Sequence, residues 1–520
     1  MPDPAEVPPS GTPPAGSPRR DRSSQMGGGR PVEPALASPA GAAASWTAPD
    51  QQRPPTRPEP AIPEPALPEP VRPRRRGLRV SLIALGLVAA VGLAGGTAAL
   101  LEPNRTRLAG SAVRSGTATT PGQDSTEQAT TARSALLQLL AVRATAVLAK
   151  DKNSYLATID PQAGSFRSRQ GRAFDSLTAL PLRSWEYSVT VTDPFELSSA
   201  RRAVLGPSAW TVEVALRYQI EGYDEAQSKL RLYYTVVQRD GRWFLASDGD
   251  GSDAGRRSQV GLWDLGRINV VAGDHSLVLG LRSTSRIRPF AADADAAVTR
   301  VTGVWGADWP GKVIVVVPDT QHQMERLAGV EDGLYDQIAA VTRRETGRQA
   351  DDSASDRVIV NPELWTQLGT LGRRVVMTHE ITHVATHDAT TSSTPTWLSE
   401  GFADYVAYRG LRVPVAVSAQ DVLAAVRRGR LPKALPTLQD FEPTNQRLAE
   451  VYESAWLACR MLADRYGQDK LARFYRAVGT GDLGAGPSGA PLDPAFEAVF
   501  DLTTAGFTSQ WRSYLESLAK

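Results

Sequence analysis

The sequence predicts an α+β protein carried on a disordered, membrane-spanning N-terminus, and three observations predict it. More than half of the 38 prolines fall within residues 1–76, and 22 uncharged, mostly apolar residues follow from 80 to 101. Apolar residues then alternate with polar ones between 185 and 245, the period of a half-buried strand. From about 260 onward, short apolar runs give way to stripes spaced by three and four, the period of a helix packed on one side. The 520 residues carry a formal charge of +2, with no long basic stripe interleaved with aromatics, so nucleic acid is not an expected partner. The single cysteine, Cys459, excludes an intramolecular disulfide and any cysteine-rich metal site. It falls in an apolar helical pattern and reads as a small core residue.

Residues 1–76 are rich in Pro, Gly, Ala, Ser and charge and almost free of aromatics, so they cannot bury enough apolar surface to fold. They form a disordered, Pro-rich cytoplasmic tail. Within it PEPAIPEPALPEPV, starting at Pro58, repeats a five-residue unit suited to an extended spacer; the competing reading is a ligand for a proline-recognising partner. Residues 77–101 are read as one transmembrane helix, since the uncharged run 80–101 within them is long enough as a helix to cross a hydrocarbon core of roughly 30 Å. Arg72, Arg74, Arg75, Arg76 and Arg79 precede it, which keeps the N-terminus cytoplasmic and places the rest outside the cell. A cleaved signal peptide is the competing reading, but the long leader and the length of the apolar run oppose it. The expected location is the cell membrane, with a single pass.

A Thr, Ser and Gly-rich linker covers residues 102–128. The first folded domain is expected at 129–255. It opens with a helix whose buried stripe includes Leu136, Leu140 and Val147, followed by alternating strands through Trp185, Trp210 and Leu230 and a hairpin at Asp240-Gly241. One helix against a curved antiparallel sheet resembles the NTF2-like cone in pattern and order, and the resemblance implies a spacer or ligand-binding role. The second domain is expected at 260–520. It reads as a small sheet, with strands at KVIVVV (312–317) and RVIVN (357–361), and a mainly helical C-terminal part. One helix (369–387) carries HEITH, a second begins at Thr394-Pro395, a third spans 445–466, and two more complete the chain.

The chemistry concentrates in HEITH. Residues four apart on a helix share a face, so His379 and His383 can present imidazole nitrogens to one Zn2+ ion. Glu380 lies beside them and can take a proton from the water that the ion activates. With only five histidines in the chain, HExxH arises by chance in roughly two chains per thousand of this composition, so coincidence is a poor explanation. A catalytic ion needs a third ligand, and Glu400 supplies it, 17 positions beyond His383 at the start of the next helix. One turn further, Asp404 can accept the other ring N–H of a ligating histidine, with His379 the expected donor. His387 lies one more turn along but roughly 6 Å further up the axis than His383, too far to share the ion. His275 and His322 have no partner in sequence.

At these residues the chain resembles the gluzincin metallopeptidases, in which HExxH on one helix is completed by a Glu in ExxxD on the next. The flanks RRVVMTHEITHVATHDA and TWLSEGFADYVAY look closest to the peptidase MA-like domains of actinobacterial membrane-anchored proteins. The resemblance implies a thermolysin-like domain, one Zn2+ ion held by His379, His383 and Glu400, and hydrolysis of a peptide or protein substrate with Glu380 as general base. It also implies that RVIVN is an edge strand pairing with the substrate backbone. Tyr452 is the candidate for stabilising the oxyanion, with Tyr405 and Tyr408 as alternatives and a core tyrosine as the plain reading. The competing function is a membrane-tethered binding or scaffold protein with a vestigial zinc site.

Overall fold

The alternation between 185 and 245 becomes a four-stranded antiparallel sheet in the computed structural model, which describes residues 123–344, 356–480 and 492–520. The proline-rich tail, the expected transmembrane helix and the linker up to residue 122 lie outside the described residues. Three helices come first: α1 (Gln123–Leu148), which starts inside the expected linker, α2 (Lys152–Ala157) and α3 (Gly164–Leu177). Strands β1 (Leu182–Thr192), β2 (Trp210–Ile220), β3 (Ser228–Arg239) and β4 (Arg242–Ser247) follow in that spatial order, with α4 (Ser199–Leu205) between the first two. Asp240 and Gly241 both take positive φ, 49° and 76°, which a two-residue type I′ hairpin turn requires. The sequence predicts one helix here; α2 and α3 are additional. Their pattern is faint because α3 buries Gln170, Gly171 and Ser176 beside Phe166, Ala173, Phe174 and Leu177.

Residues 130–148 of α1 are long and apolar enough to cross a membrane by length and composition. One face of this stretch packs on the sheet, while Leu137, Val142 and Leu148 are exposed. Leu136 and Leu140 join Val212, Val214, Val236 and Leu245 of the sheet, and the buried Arg143 donates to Thr158 Oγ1 at 3.0 Å.

A short helix α5 (Leu262–Leu265) leads into a second sheet, and its Trp263 packs edge-on against Trp185 and Tyr218 of the first. The second sheet is built from β5 (Asn269–Ala272), β6 (Ser276–Gly280), β7 (Val313–Val317), β8 (Ala340–Arg344) and β9 (Asp356–Val360), in the order β5-β6-β7-β9-β8. The long helix α6 (Thr284–Trp305) connects β6 to β7, and α7 (Gln321–Ala328) follows β7. All five residues of β7 are buried and both its neighbours run parallel to it, as a continuous valine-isoleucine run predicts. RVIVN is not the edge. It forms β9, which pairs with β7 on one side and β8 on the other, and Val358, Ile359 and Val360 are buried. The edge is β8, whose AVTRR text carries the charges that outer strands tolerate.

The C-terminal part is helical: α8 (Pro362–Gln367), α9 (Thr370–Thr386) and α10 (Thr396–Tyr408), then the short α11 (Val415–Ser418) and α12 (Gln420–Arg427). Helices α13 (Leu448–Tyr466), α14 (Gln468–Thr480), α15 (Leu492–Phe500) and α16 (Thr504–Ala519) complete it. Three helices rather than two follow residue 466, and Pro395 itself caps α10 where the sequence places it inside the first turn. Helix α9 packs against α6, α10 and β8, and α10 packs against α13.

One buried ion pair joins the two sheets. Arg357 of β9 reaches Asp224, in the β2–β3 turn, through both terminal nitrogens at 2.7 and 2.8 Å and adds a bond to Ser228 Oγ at 2.9 Å. Both side chains are almost fully buried, so each charge depends on the other. Asp224→Ala leaves the guanidinium buried without its counter-charge and is expected to cost roughly 3–5 kcal/mol, read as a lower denaturant midpoint. The expectation fails if the midpoint moves by no more than an exposed ion pair would account for.

Candidate metal centre

Helix α9 is buried on nearly every side, although its second half is rich in polar side chains. Thr378, His379, Glu380, Thr382, His383 and Thr386 are all buried. Two threonines satisfy themselves: Thr378 and Thr382 each donate to the carbonyl four residues back, at 2.7 Å. The imidazoles and the carboxylate must find partners on other elements.

Those partners come chiefly from α10. His379 Nδ1 lies 2.8 Å from Asp404 Oδ1. A carboxylate only accepts, so Nδ1 carries the proton and Nε2 is left with a lone pair. That nitrogen lies 3.0 Å from His383 Nε2 and 3.3 Å from Glu400 Oε2, and His383 Nε2 lies 3.7 Å from the same oxygen. Glu400 Oε2 is buried and has no hydrogen-bond partner of adequate geometry. Three candidate ligand atoms thus converge in a buried space beside further carboxylates, a setting stabilised by positive charge between them, whether a proton on an imidazole or a metal ion.

The three separations match the edges of a tetrahedral site. Ligand bonds of about 2.1 Å at tetrahedral angles put neighbouring donor atoms about 3.4 Å apart. His379, His383 and Glu400 therefore fit a small divalent ion with little movement. The charges fit as well, since Glu380, Glu400 and Asp404 bring three buried carboxylates to two imidazoles.

The remaining residues fall into place around this group. Glu380 is fully buried; Oε2 accepts from Thr342 Oγ1 at 2.8 Å, and Oε1 has no hydrogen-bond partner among the described residues. Burial is the main cause that raises its pKa, against the lowering effect of His379 and His383. Tyr452 of α13 is buried with its ring 6.5 Å from that of His379, and its hydroxyl bonds to Glu400. Tyr408 packs at a tilt against Trp456 instead, and with Tyr405 it lines a separate groove beside Arg409 and Arg460. His387 pairs with Asp356 of β9, outside the group. His275 is exposed against the carbonyl of Gly311. His322, Glu325 and Asp332 lie within reach of one another at the surface, but Glu325 Oε1 accepts the amides of Gly333 and Tyr335, which makes it a loop staple.

Two residues that bear on the site are not legible in the motif. Thr342 sits on β8, and only strand pairing brings it to α9. Gly401 follows Glu400 and lets α10 approach α13; a Cβ there would lie 2.3 Å from Ala455 O. The SEGFAD text contains this glycine, but nothing in its spacing shows that a helix crosses it.

Gly401→Ala is expected to force α10 and α13 apart, lowering stability by roughly 1–3 kcal/mol and weakening ion binding at the adjacent Glu400; unchanged unfolding and ion affinity would refute the close approach. A pH dependence follows from His379. Burial alone would lower its pKa, but Asp404 and then Glu400 outweigh this and raise it well above that of an ordinary histidine. Below that raised pKa a proton occupies the lone pair an ion needs. Divalent-ion affinity is therefore expected to weaken as the pH falls, about tenfold per unit for each proton displaced. Calorimetric titration in buffers of differing ionisation enthalpy measures the release, and binding without proton release would contradict the assignment. No protein-family model and no curated protein matches the chain, so the chemistry of the centre rests on these residues alone.

Proposed function

We propose that the chain is a membrane-anchored zinc metallopeptidase of the gluzincin type that hydrolyses peptide bonds outside the cell. The observation that carries this reading is the convergence of His379 Nε2, His383 Nε2 and Glu400 Oε2 within 3.7 Å, with Asp404 behind His379 and a partnerless carboxylate oxygen on Glu380. Three protein ligands with an open fourth position are the pattern of a catalytic rather than a structural zinc site. When bound, zinc would lower the pKa of a coordinated water and polarise the scissile carbonyl.

The protein's own residues do the rest. His379 and His383 supply neutral nitrogens, and Asp404 holds the His379 ring in the tautomer that leaves Nε2 free. Glu400 contributes charge. Glu380 takes a proton from the attacking water at Oε1 and returns it to the leaving amine, and a carboxylate whose pKa burial has raised is better suited to both transfers. Tyr452, beside Glu400, is the candidate to stabilise the oxyanion. Strand β8, one of the two edge strands of its sheet among the described residues and the one beside α9, offers backbone groups to an extended peptide.

The finer architecture belongs to the same proposal. Three helices against a four-stranded antiparallel sheet suit an NTF2-like cone, and a five-stranded sheet followed by the α9–α10 pair suits a thermolysin-like gluzincin domain. The membrane tether rests on the uncharged run at 80–101 and its arginine flank. The second reading is a tethered binding protein with a vestigial zinc site. The enclosure of the centre favours it, for His383 is the most exposed of the three ligands, at 8%.

Digestion of a quenched peptide library by the full-length protein separates the two. Glu380→Gln is expected to reduce kcat at least a thousandfold with zinc still bound at one ion per chain, whereas Glu400→Ala is expected to lose the ion. Equal cleavage by wild type and Glu380→Gln would defeat the peptidase reading, and loss of zinc from Glu380→Gln would defeat the role given to Glu380.

A further inference from the structure

We propose that Thr342 is a positioning residue for Glu380, so that edge strand β8 aims the base. The proposal rests on the peptidase reading above. Thr342 is buried, and its Oγ1 lies 2.8 Å from Glu380 Oε2 and 3.0 Å from the Glu380 carbonyl oxygen. A hydroxyl has one proton and serves one acceptor at a time. Two observations assign it to the carboxylate. The contact is the shorter of the two, and a bond to an ionised acceptor is roughly twice as strong as one to a neutral acceptor. The carbonyl, moreover, lies six residues before the end of α9 and has the Val384 amide as its helical partner.

The consequence lies in the asymmetry of the carboxylate. Its terminal torsion is broad and nearly two-fold, so nothing intrinsic to the side chain decides which oxygen faces the reaction. With Oε2 held by the threonine, Oε1 is the oxygen left without a partner. Helix α9 supplies the position of Glu380, but the direction of its lone pairs comes from a different element. Thr342 pairs in register with Val358 of β9, which fixes its height along the sheet. A peptide that adds to the free edge of β8 binds the same strand that orients the base.

The plain alternative is that Thr342 ties β8 to the helix backbone and does nothing to the carboxylate. A melting cycle on the metal-free, full-length protein distinguishes them without reference to activity. Thr342→Val is expected to lower Tm by about 2–4 °C more in the wild-type background than in Glu380→Ala, with Thr342→Ser close to wild type. In the zinc-bound protein, Thr342→Val should lower kcat on a cleaved peptide about 10–100-fold, with KM within about threefold and one zinc per chain, and Thr342→Ser should recover most of the loss. Equal Tm losses in the two backgrounds, or wild-type kcat in Thr342→Val, would overturn the proposal while leaving the peptidase reading intact. Cleavage that Glu380→Gln retains in full overturns the peptidase reading, and the role of Thr342 with it, whatever the melting cycle shows.

Discussion

The hydrogen bond between His379 Nδ1 and Asp404 Oδ1 is the contact on which the centre depends. It decides which ring nitrogen carries the proton, and so whether a lone pair or an N–H faces His383 and Glu400. In the neutral ring it leaves the Nε2 lone pair facing His383 and Glu400, and a proton or a metal ion at that point supplies the positive charge that the buried carboxylates favour. The bond also spans α9 and α10, so the electronic state of a ligand and the packing of two helices are set by one interaction.

That packing is supported from several sides. Gly401 allows α10 to lie close to α13, which carries Tyr452 to the Glu400 side of the centre. The Tyr475 hydroxyl of α14 contacts Thr390, Thr386 and Ser399, holding the turn between the two ligand-bearing helices. On the opposite side, β8 reaches Glu380 through Thr342. The candidate ligands, Glu380 and the groups that support them thus come from five elements, each with its own reason for rigidity, which is how a site keeps its geometry to within a fraction of an ångström.

The N-terminal sheet shares in this arrangement through Arg357. A forked, fully buried pair to Asp224 is costly unless both charges are held, and it therefore ties the β2–β3 turn to β9. Strand β9 carries β8 on its outer side, and its first residue, Asp356, pairs with His387 just beyond α9. The first sheet is in this sense a buttress to the second. Its own interior is polar at one point, where Arg143 lies buried over the face of Tyr155.

The sequence by itself determined which residues form the candidate metal centre and most of the periodic elements. HEITH, Glu400 and Asp404 can be read because helical spacing is rigid: four residues bring side chains to one face whatever surrounds them. The strands β1 to β4 and the turn at Asp240-Gly241 follow from an equally local rule. Tertiary structure decided what depends on pairing across distance. Strand β8 replaced RVIVN as the edge because strand order is set by which faces can be buried, and the valines of β9 need cover on both sides. Helices α2 and α3 leave no apolar stripe in the sequence, because α2 is one short turn and a half with only Tyr155 buried and α3 buries Gln170 and Ser176 among its apolar residues. Thr342 and Gly401 carry no motif at all. Their meaning is a contact 38 residues away in one case and 54 in the other, and only the folded chain brings those contacts into being.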